Sequence, residues 1–304
     1  MEVRHLELLR DLSVRGTLAA VAAATHRTPS ALSQQLKNAE RELGVALVEP
    51  FARGVRLTGA GRVLAEGAPE VLAALERVQA RLDAATGEPR GRVSIGTLPS
   101  AGEALLPDLL DALRGSAIEV TVDDFDLAEA DYAARTLDAD VVIAHSLTGD
   151  VPAGAEGLVC RVVAREPIDV AVPAGHPLAG RDRLRPDDLV GHRWVGVPEG
   201  YPFDTILLAV ENLTGHRLDR SIRLRDNSLV EALVARGAGL ALLPRFTTRP
   251  RDGVVLKELR GVRARRSVVT LCRAERYERL AVRTVVDRLA TIGEAIGGAT
   301  GARR

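Results

Sequence analysis

The stretch that decides the fold is TLAAVAAATHRTPSALSQQLKNAERELGVALVE, residues 17–49. Its alanine-rich first part favours a short helix that can pack closely against a neighbour. A longer helix is predicted over residues 28–43, because Thr28 can act as an N-cap and Pro29 suits the first helical position. With a further helix predicted at residues 5–15, the chain is expected to open on a three-helix unit.

The helix predicted over residues 28–43 has two unlike faces. Its apolar residues recur at steps of four, three and four, so they share one face and predict core. They are Leu32, Leu36, Ala39 and Leu43. The other face carries Ser30, Ser33, Gln34, Lys37 and Arg41, with no acidic residue from Arg27 to Lys37. Such side chains can pair with base edges and phosphates in the major groove, although a solvated face of an ordinary helical bundle remains open.

Residues 45–58 follow, with short apolar runs around Pro50 and Gly54. This pattern predicts a small hairpin-like wing that carries Arg53 and Arg56. An adjoining wing favours the DNA-binding interpretation of the preceding helix over the solvated-face interpretation.

Residues 59–86 predict a long helix with a heptad pattern. Its apolar residues alternate in steps of four and three, which is the 3.5-residue period of a two-stranded coiled coil. They are Leu64, Ala68, Val71, Leu75, Val78 and Leu82. Pro69 lies inside the pattern and is expected to kink or divide the helix, because proline removes a backbone donor. The segment is therefore predicted to be a dimerising helix.

A breaker cluster at residues 86–91 marks a domain boundary, after which strands alternate with helices. This alternation predicts a parallel sheet covered by helices, in two α/β lobes. Strands are predicted at 92–97, 118–122, 140–144, 168–172, 193–197, 221–225, 239–243, 254–259 and 267–272, and helices at 101–113, 127–137, 203–214, 228–236 and 275–296. Lobe 1 is expected at about 92–163 and 268–296, and lobe 2 at about 164–267.

Composition narrows the class of protein. The 304 residues include 41 Lys and Arg against 41 Asp and Glu, so the formal net charge is zero and does not by itself indicate a nucleic-acid partner. Residues 1–58 hold eight basic against six acidic residues, an excess too small to establish DNA binding by itself. An aromatic content of 3% argues against stacking platforms for single strands. Without a secretory h-region or a membrane-length apolar run, a cytoplasmic protein without membrane contact is expected.

Motifs of the common enzyme classes are absent from the sequence. We find no HExxH, GxSxG, Walker A or Rossmann GxGxxG pattern, and no zinc-binding arrangement of Cys and His. The chain is therefore not expected to be an enzyme, and neither a cofactor nor a metal is predicted.

The run at residues 17–49, followed by RGVRLTGAGRVLAE at 53–66, resembles the N-terminal winged helix-turn-helix of LysR-type transcriptional regulators. The resemblance continues along the chain. VSIGTLPSAGEALLPDLLDALR at 93–114 is similar to the first strand and helix of the family's effector domain, DADVVIA at 138–144 to its third strand, and VEALVARGAGLALLP at 230–244 to a segment of its second lobe.

The resemblance implies an α/β protein with an all-α N-terminal part: a winged helix-turn-helix, a linker helix and a two-lobed, periplasmic-binding-protein-like (type 2) effector domain. It implies a regulator that binds promoter DNA and a small-molecule effector and assembles as a homodimer or homotetramer. The boundaries are 1–58 for the DNA-binding domain, 59–86 for the linker helix and 90–304 for the effector domain. The positions that match the family's DNA-binding residues are Thr28, Pro29, Ser30, Ser33, Gln34, Lys37 and Arg53.

For the effector, Ser100-Ala101-Gly102-Glu103 forms a capping-box pattern directly after the first predicted effector-domain strand. A helix N-terminus there favours an anionic ligand group. Ligands of open α/β sheets lie at the carboxyl ends of strands, which gives a set of candidate contacts. They are Thr97, Ser100, His145, Ser146, Tyr201 and Asn227. In the alternative interpretation, Ser100 and Asn227 only cap their helices.

Two further alternatives remain open. Cys160 and Cys272 are expected near the crossings between the lobes, which leaves a thiol- or redox-responsive regulator as an alternative, although the residues around them favour two buried thiols without function. A solute-binding protein without DNA binding would share the two-lobed fold, but it should begin with an export signal and lack the helical module at residues 1–86.

Overall fold

The N-terminal unit of the computed structural model combines helices with one β-hairpin. The structure describes residues 1–51, 54–86, 88–125, 129–248 and 252–301. The chain separates into one unit of Met1–Arg90 with Arg273–Arg283 and another of Gly91–Cys272 with Thr284–Arg304. The elements of the first unit are α1 (Val3–Arg15), α2 (Leu18–Ala24), α3 (Pro29–Leu43), β1 (Val48–Phe51), β2 (Gly54–Leu57), α4 (Gly59–Thr86) and α9 (Ala274–Tyr277).

Helix α3 begins and ends where its sequence signals predict. The Thr28 hydroxyl accepts a hydrogen bond from the backbone N–H of Ala31 at 3.2 Å, and Pro29 is the first helical residue. Gly44 ends the helix with a φ of 69°, a left-handed conformation that glycine adopts without a Cβ penalty. Leu32, together with leucines of α1, is buried in the core of this unit.

Helix α4 crosses Pro69 as one continuous helix of 28 residues, so the proline does not divide it. Proline leaves only the carbonyl of Ala65 without its intrahelical donor. Packing offsets that loss, because α4 lies along α1 and buries a row of small and apolar residues. The buried row is Ala65, Ala68, Leu72, Ala73 and Ala80. The exposed apolar row is Val71, Leu75, Val78 and Leu82.

The second unit contains the α/β lobes. Its elements are β3 (Arg90–Thr97), α5 (Pro99–Ala112), β4 (Ala117–Asp124), α6 (Tyr132–Arg135), β5 (Val141–Ser146), β6 (Val159–Pro173), β7 (Arg183–Leu184), β8 (Arg193–Gly196), α7 (Asp204–Thr214), β9 (Asp219–Arg223), α8 (Asn227–Ala235), β10 (Ala241–Pro244), β11 (Val254–Leu259), β12 (Arg265–Cys272) and α10 (Leu280–Gly301). The main sheet has the strand order β4-β3-β5-β12-β6-β11-β7, and β10 also pairs with β6.

The sheet is mixed rather than parallel throughout, which corrects the expectation from the strand–helix alternation. Strands β3 and β5 are parallel, and β8 and β9 form a separate parallel pair. Strand β12 runs antiparallel to both β5 and β6. Chain segments that return to a sheet without a crossover helix add antiparallel neighbours, as β12 does here.

Strand β6 is three times as long as the strand predicted at residues 168–172. It spans 15 residues and pairs with β12 in its first part and with β10 and β11 in its second. Arg165 and Glu166 interrupt the apolar pattern, so the sequence did not indicate a strand there. Because one strand serves both lobes, the two lobes of the effector domain share a continuous sheet.

Two predicted helices also differ from the structure. In place of a helix at 127–137, the described residues form a 3-10 turn at Glu129–Asp131 and the short α6, while 127 and 128 lie outside the described residues. The helix predicted at 275–296 is two helices, α9 and α10. Across the described part of the chain, no helix combines the length and apolar character needed to cross a lipid bilayer.

Candidate DNA-binding face and effector cavity

The polar face of α3 is accessible. Ser30, Gln34 and Lys37 are exposed and Ser33 is half-buried. The Gln34 amide donates a hydrogen bond to Asn38 Oδ1 at 3.0 Å, which restricts its rotamers. The exposed Thr28 and Pro29 begin the helix. Hydroxyl, amide and ammonium groups thus share one surface, opposite the buried face.

The wing is an antiparallel hairpin in which Val48 pairs with Leu57. Arg56 donates from Nε to Glu49 Oε1 at 2.6 Å, and its guanidinium lies 4.9 Å from the centre of the Phe51 ring. These contacts hold Arg56 along the hairpin. Arg53, the predicted wing contact, lies outside the described residues.

A cavity of about 240 Å³ lies between the two lobes of the effector unit. Four of the six predicted effector contacts line it: Ser100, His145, Tyr201 and Asn227. They come from the ends of elements in both lobes, as expected for a ligand site at the carboxyl edge of a sheet. The other lining residues are Leu98, Pro99, Glu103, Tyr132, Val197, Pro202, Phe203, Arg225, Asp226, Ser228 and Arg266.

The other two predicted contacts, Thr97 and Ser146, do not line the cavity. The Thr97 side chain is 2% exposed, and its hydroxyl donates to the carbonyl of Leu98 at 3.1 Å. Ser146 is 1% exposed, and its hydroxyl accepts from the backbone N–H of Thr148 at 3.2 Å. Both hydroxyls stabilise local backbone, because a buried polar group needs a partner.

Neither Ser100 nor Asn227 caps its helix, so the capping interpretation is wrong for both. The N-cap of α5 is Leu98, without a side-chain hydrogen bond, and Ser100 is the second helical residue. The N-cap of α8 is Asp226, which accepts the backbone N–H of Leu229 at 2.6 Å. Instead, the hydroxyl of Ser100 accepts hydrogen bonds from Arg266, and Asn227 is part of the cavity lining.

The sequence did not point to Arg266, which is the central cation of the cavity. Its side chain is almost fully buried, and Nε donates to Glu166 Oε1 at 2.7 Å. Nη2 donates to Thr247 Oγ1 at 2.7 Å, and both terminal nitrogens donate to Ser100 Oγ at 3.3 Å. Arg266 lies opposite Glu166 in the β12–β6 register. This pairing could have indicated a buried ion pair, but only if the sequence around Glu166 had been recognised as a strand.

His145 is a neutral hydrogen-bond acceptor beside this cation. Its Nδ1 lies 3.1 Å from Arg266 Nη1, and since a guanidinium only donates, Nδ1 accepts and the ring proton resides on Nε2. Burial, and secondarily the charge of Arg266, holds the pKa of His145 well below its usual range. The ring packs against Tyr132 and Phe203, each with centroids 5.9 Å away.

The two cysteines lie on neighbouring strands but on opposite sheet faces. Cys160 pairs with Leu271, so Cys272, the next residue, has its side chain on the other face. Both are free thiols. Burial, followed by the charge of Asp140, raises the pKa of Cys272 to about 12, and burial together with Asp150 raises the pKa of Cys160.

Two family models together match most of the chain. The model described as "Bacterial regulatory helix-turn-helix protein, lysR family" matches residues 3–62. The model described as "LysR substrate binding domain" matches residues 86–292. The first covers α1 to α3 and the wing, and the second covers the cavity.

Curated relatives match over most of their length. The transcriptional dual regulator GltC of Bacillus subtilis is 29% identical over 259 residues, 83% of this chain and 84% of that protein. The DNA-binding transcriptional dual regulator OxyR of Escherichia coli is 28% identical over 295 residues, 92% of this chain and 94% of that protein.

Solved structures show the same fold. A full-length OxyR variant from Pseudomonas aeruginosa has a TM-score of 0.69 at 19% identity, covering 97% of each chain. Full-length CbnR, a LysR family regulator solved in complex with its target DNA, has a TM-score of 0.54 at 20% identity, covering 96% of this chain and 100% of that one. The chain belongs to the LysR family of DNA-binding transcriptional regulators.

Proposed function

We propose that α3 and the wing read promoter DNA, that α4 pairs two copies of the chain, and that the cavity beside Arg266 binds a small-molecule effector. The corresponding domains are residues 1–58, 59–86 and 90–304. The observation that carries the proposal is the exposed donor face of α3, set opposite a buried core face in a chain of this family.

On the DNA-binding face, Gln34 is the residue suited to a bidentate contact with adenine, and Ser30 and Ser33 can donate or accept at base edges. Lys37 suits a guanine or phosphate contact. Thr28 and Pro29 fix the start of the helix, whose N-terminal turn enters the groove first in helix-turn-helix proteins. Arg53 is proposed as the wing contact on its sequence position alone.

The exposed apolar row of α4 supports self-association. Val71, Leu75, Val78 and Leu82 are 41% to 64% exposed. Their heptad spacing is that of a two-stranded coiled coil, in which such residues are buried by the partner helix. The proposal is a dimer through α4, with further assembly to a tetramer.

The cavity supports an effector of metabolite size. Its volume of about 240 Å³ lies below the roughly 300–1,000 Å³ typical of pockets for drug-sized ligands. Ser100 and His145 from one lobe face Tyr201 and Asn227 from the other, so a ligand there touches both lobes. An effector changes DNA binding only through a difference in affinity for two arrangements of the protein.

A thiol-responsive regulator is the second candidate, because proteins named hydrogen peroxide-inducible genes activators match this chain over 92% of its length. The raised pKa values of Cys160 and Cys272 oppose it, since the thiolate is the form that reacts with oxidants.

The test is fluorescence anisotropy with the duplex upstream of the protein's own coding region and with a random duplex of equal length. Lys37→Ala is expected to weaken binding, and a phosphate contact predicts that the salt slope falls by about one. Lys257→Ala removes the chain's only other lysine, on β11, and should leave affinity and slope unchanged. No preference for the upstream duplex, or equal effects of both variants, would overturn the assignment.

A further inference from the structure

We propose that the effector is a small carboxylate with a flat, apolar body, and that its carboxylate replaces the Ser100 hydroxyl in the fork of Arg266. This inference rests on the proposed effector function. It adds the chemical class of the ligand, and it names the Ser100–Arg266 contact as the one that the ligand replaces.

The Ser100 hydroxyl lies where a carboxylate would bind Arg266. Ser100 Oγ lies 3.3 Å from Nη1 and 3.3 Å from Nη2 of Arg266, so it occupies the fork between the two terminal nitrogens. Carboxylates bind guanidinium groups from this side, with charge-assisted bonds of about 2.7–2.9 Å. The neutral hydroxyl therefore makes two long, weak bonds where a carboxylate would make shorter, stronger ones.

The rest of the guanidinium is held in place by firm contacts. Nε donates to Glu166 at 2.7 Å and Nη2 donates to Thr247 at 2.7 Å. Glu166 in turn accepts the backbone N–H groups of Phe246 at 2.9 Å and Thr247 at 3.2 Å. With its orientation fixed, Arg266 presents a preorganised fork, which lowers the entropy lost when an anion binds.

The surroundings of the fork favour negative charge. Ser100 belongs to the first turn of α5, a helix of 14 residues whose N-terminal N–H groups and dipole attract anions. Of the lining carboxylates, Asp226 accepts the Leu229 N–H at 2.6 Å and Glu103 is exposed to solvent. The buried Glu166 already accepts several donors, so its charge is compensated within the protein.

Aromatic side chains define the body of the ligand. The 304-residue chain has one Trp, three Tyr and four Phe, yet Tyr132, Tyr201 and Phe203 all line this one cavity. Flat aromatic faces suit a flat apolar group through offset or edge-to-face packing. The volume of about 240 Å³ leaves room for one ring and a short acid, not for a long chain.

The first experiment builds the carboxylate into the protein. Ser100→Asp places a side-chain carboxylate at the fork, because the oxygens of aspartate lie one bond further from the backbone than the serine hydroxyl. It is expected to raise the Tm of the full chain by about 2–4 °C over wild type. Ser100→Asn supplies a neutral side chain of the same size, and Thr205→Asp places an aspartate at the second residue of α7, outside the cavity lining. Neither control should reproduce the gain, and an equal gain in either would overturn the proposal.

The second experiment uses phenylacetate as the probe, with phenylacetamide as its neutral isostere and acetate as the acid without a ring, at matched ionic strength. Calorimetric titration of the full chain is expected to show that phenylacetate binds at least about tenfold tighter than phenylacetamide or acetate. Ser100→Asp should weaken phenylacetate binding at least about tenfold, because its carboxylate occupies the fork.

The outcomes of these experiments distinguish the proposed ligand class from the proposed function as a DNA-binding regulator. A chain that prefers its upstream duplex but binds phenylacetate no better than phenylacetamide, or equally well in wild type and Ser100→Asp, retains its regulator assignment and loses this ligand class. Undetectable phenylacetate binding by wild type also overturns the ligand class. Failure of the DNA preference instead overturns the proposed function.

Discussion

Arg10 of α1 and Glu275 of α9 form a buried ion pair within the N-terminal unit, with Arg10 Nη1 2.9 Å from Glu275 Oε1. The two side chains are 10% and 4% exposed. Arg10 also donates from Nε and Nη2 to Asp11 Oδ1, at 3.1 and 2.9 Å. This ion pair joins α9, a segment 265 residues further along the chain, to the first helix of the N-terminal unit.

Arg10→Met is expected to lower the free energy of unfolding by about 3–5 kcal/mol, because it leaves the Glu275 carboxylate buried without its partner. The measurement is urea unfolding of the full chain. The double variant Arg10→Met with Glu275→Leu should recover the part of the loss that comes from Glu275, while the cost of leaving Asp11 without Arg10 remains.

The matched control is Arg114→Met, which breaks an exposed ion pair with Asp111 and should cost no more than about 1 kcal/mol. If the Arg10 double variant is as unstable as Arg10→Met alone, the loss does not come from the Glu275 carboxylate and the electrostatic account of this pair is wrong.

Contacts of this kind mark the limit of sequence-based prediction. The start of α3 followed from Thr28 and Pro29, because capping is set by residues within one turn. The Arg10–Glu275 pair joins residues without any local signal, and the sequence gives no reason to place a residue after β12 within the N-terminal unit. Local signals predict most of the helices and strands, whereas pairing over long separations required the structure.

Thr28→Val is expected to cost about 1 kcal/mol of stability, since it removes the hydroxyl that accepts the Ala31 N–H. DNA affinity should fall as well, because this turn presents Ser30. Thr17→Val is the matched control: Thr17 caps α2 through the Ala20 N–H at 3.1 Å. Anisotropy and thermal unfolding should show similar stability losses but reduced affinity for Thr28→Val alone. Equal affinity losses would argue against α3 as the DNA-binding helix.

Val78→Glu is expected to shift the chain from dimer toward monomer. Val78 is 64% exposed at a heptad position of α4, and a coiled-coil seam would bury the added carboxylate against a partner helix. Analytical ultracentrifugation across a concentration series measures the dimer dissociation constant. Val14→Glu makes the same change at a 51% exposed valine of α1 and should leave that constant unchanged. A dimer that tolerates Val78→Glu as well as Val14→Glu would place the interface elsewhere.

The cavity between the two lobes shows how much of a candidate site can be predicted from the order of the strands. Ser100, His145, Tyr201 and Asn227 are predicted because each follows the carboxyl end of a strand, where ligands of open α/β sheets bind, and all four line the cavity. Arg266 was missed because its partner Glu166 lies in the part of β6 where charged residues break the apolar pattern. When a strand contains a buried ion pair, its charged residues resemble surface residues in the sequence. The apolar pattern by which a buried strand is recognised is then interrupted.

The thiols give a prediction about pH. The thiolate is the reactive form, and burial raises the pKa of Cys272 to about 12 and also raises that of Cys160. At pH 7.5 both residues are therefore protonated in the folded chain, and the thiolate fraction should rise about tenfold per pH unit until the pKa is reached. Iodoacetamide labelling followed by peptide mass spectrometry should be slower at both sites than for free cysteine. Cys160, which is half-buried, should react before the fully buried Cys272.

Hydrogen peroxide at pH 7.5 should leave DNA affinity unchanged in wild type and in Cys160→Ser alike. A rapid peroxide-dependent change in affinity that Cys160→Ser abolishes would instead establish the thiol-responsive alternative, because only a reactive Cys160 could produce it.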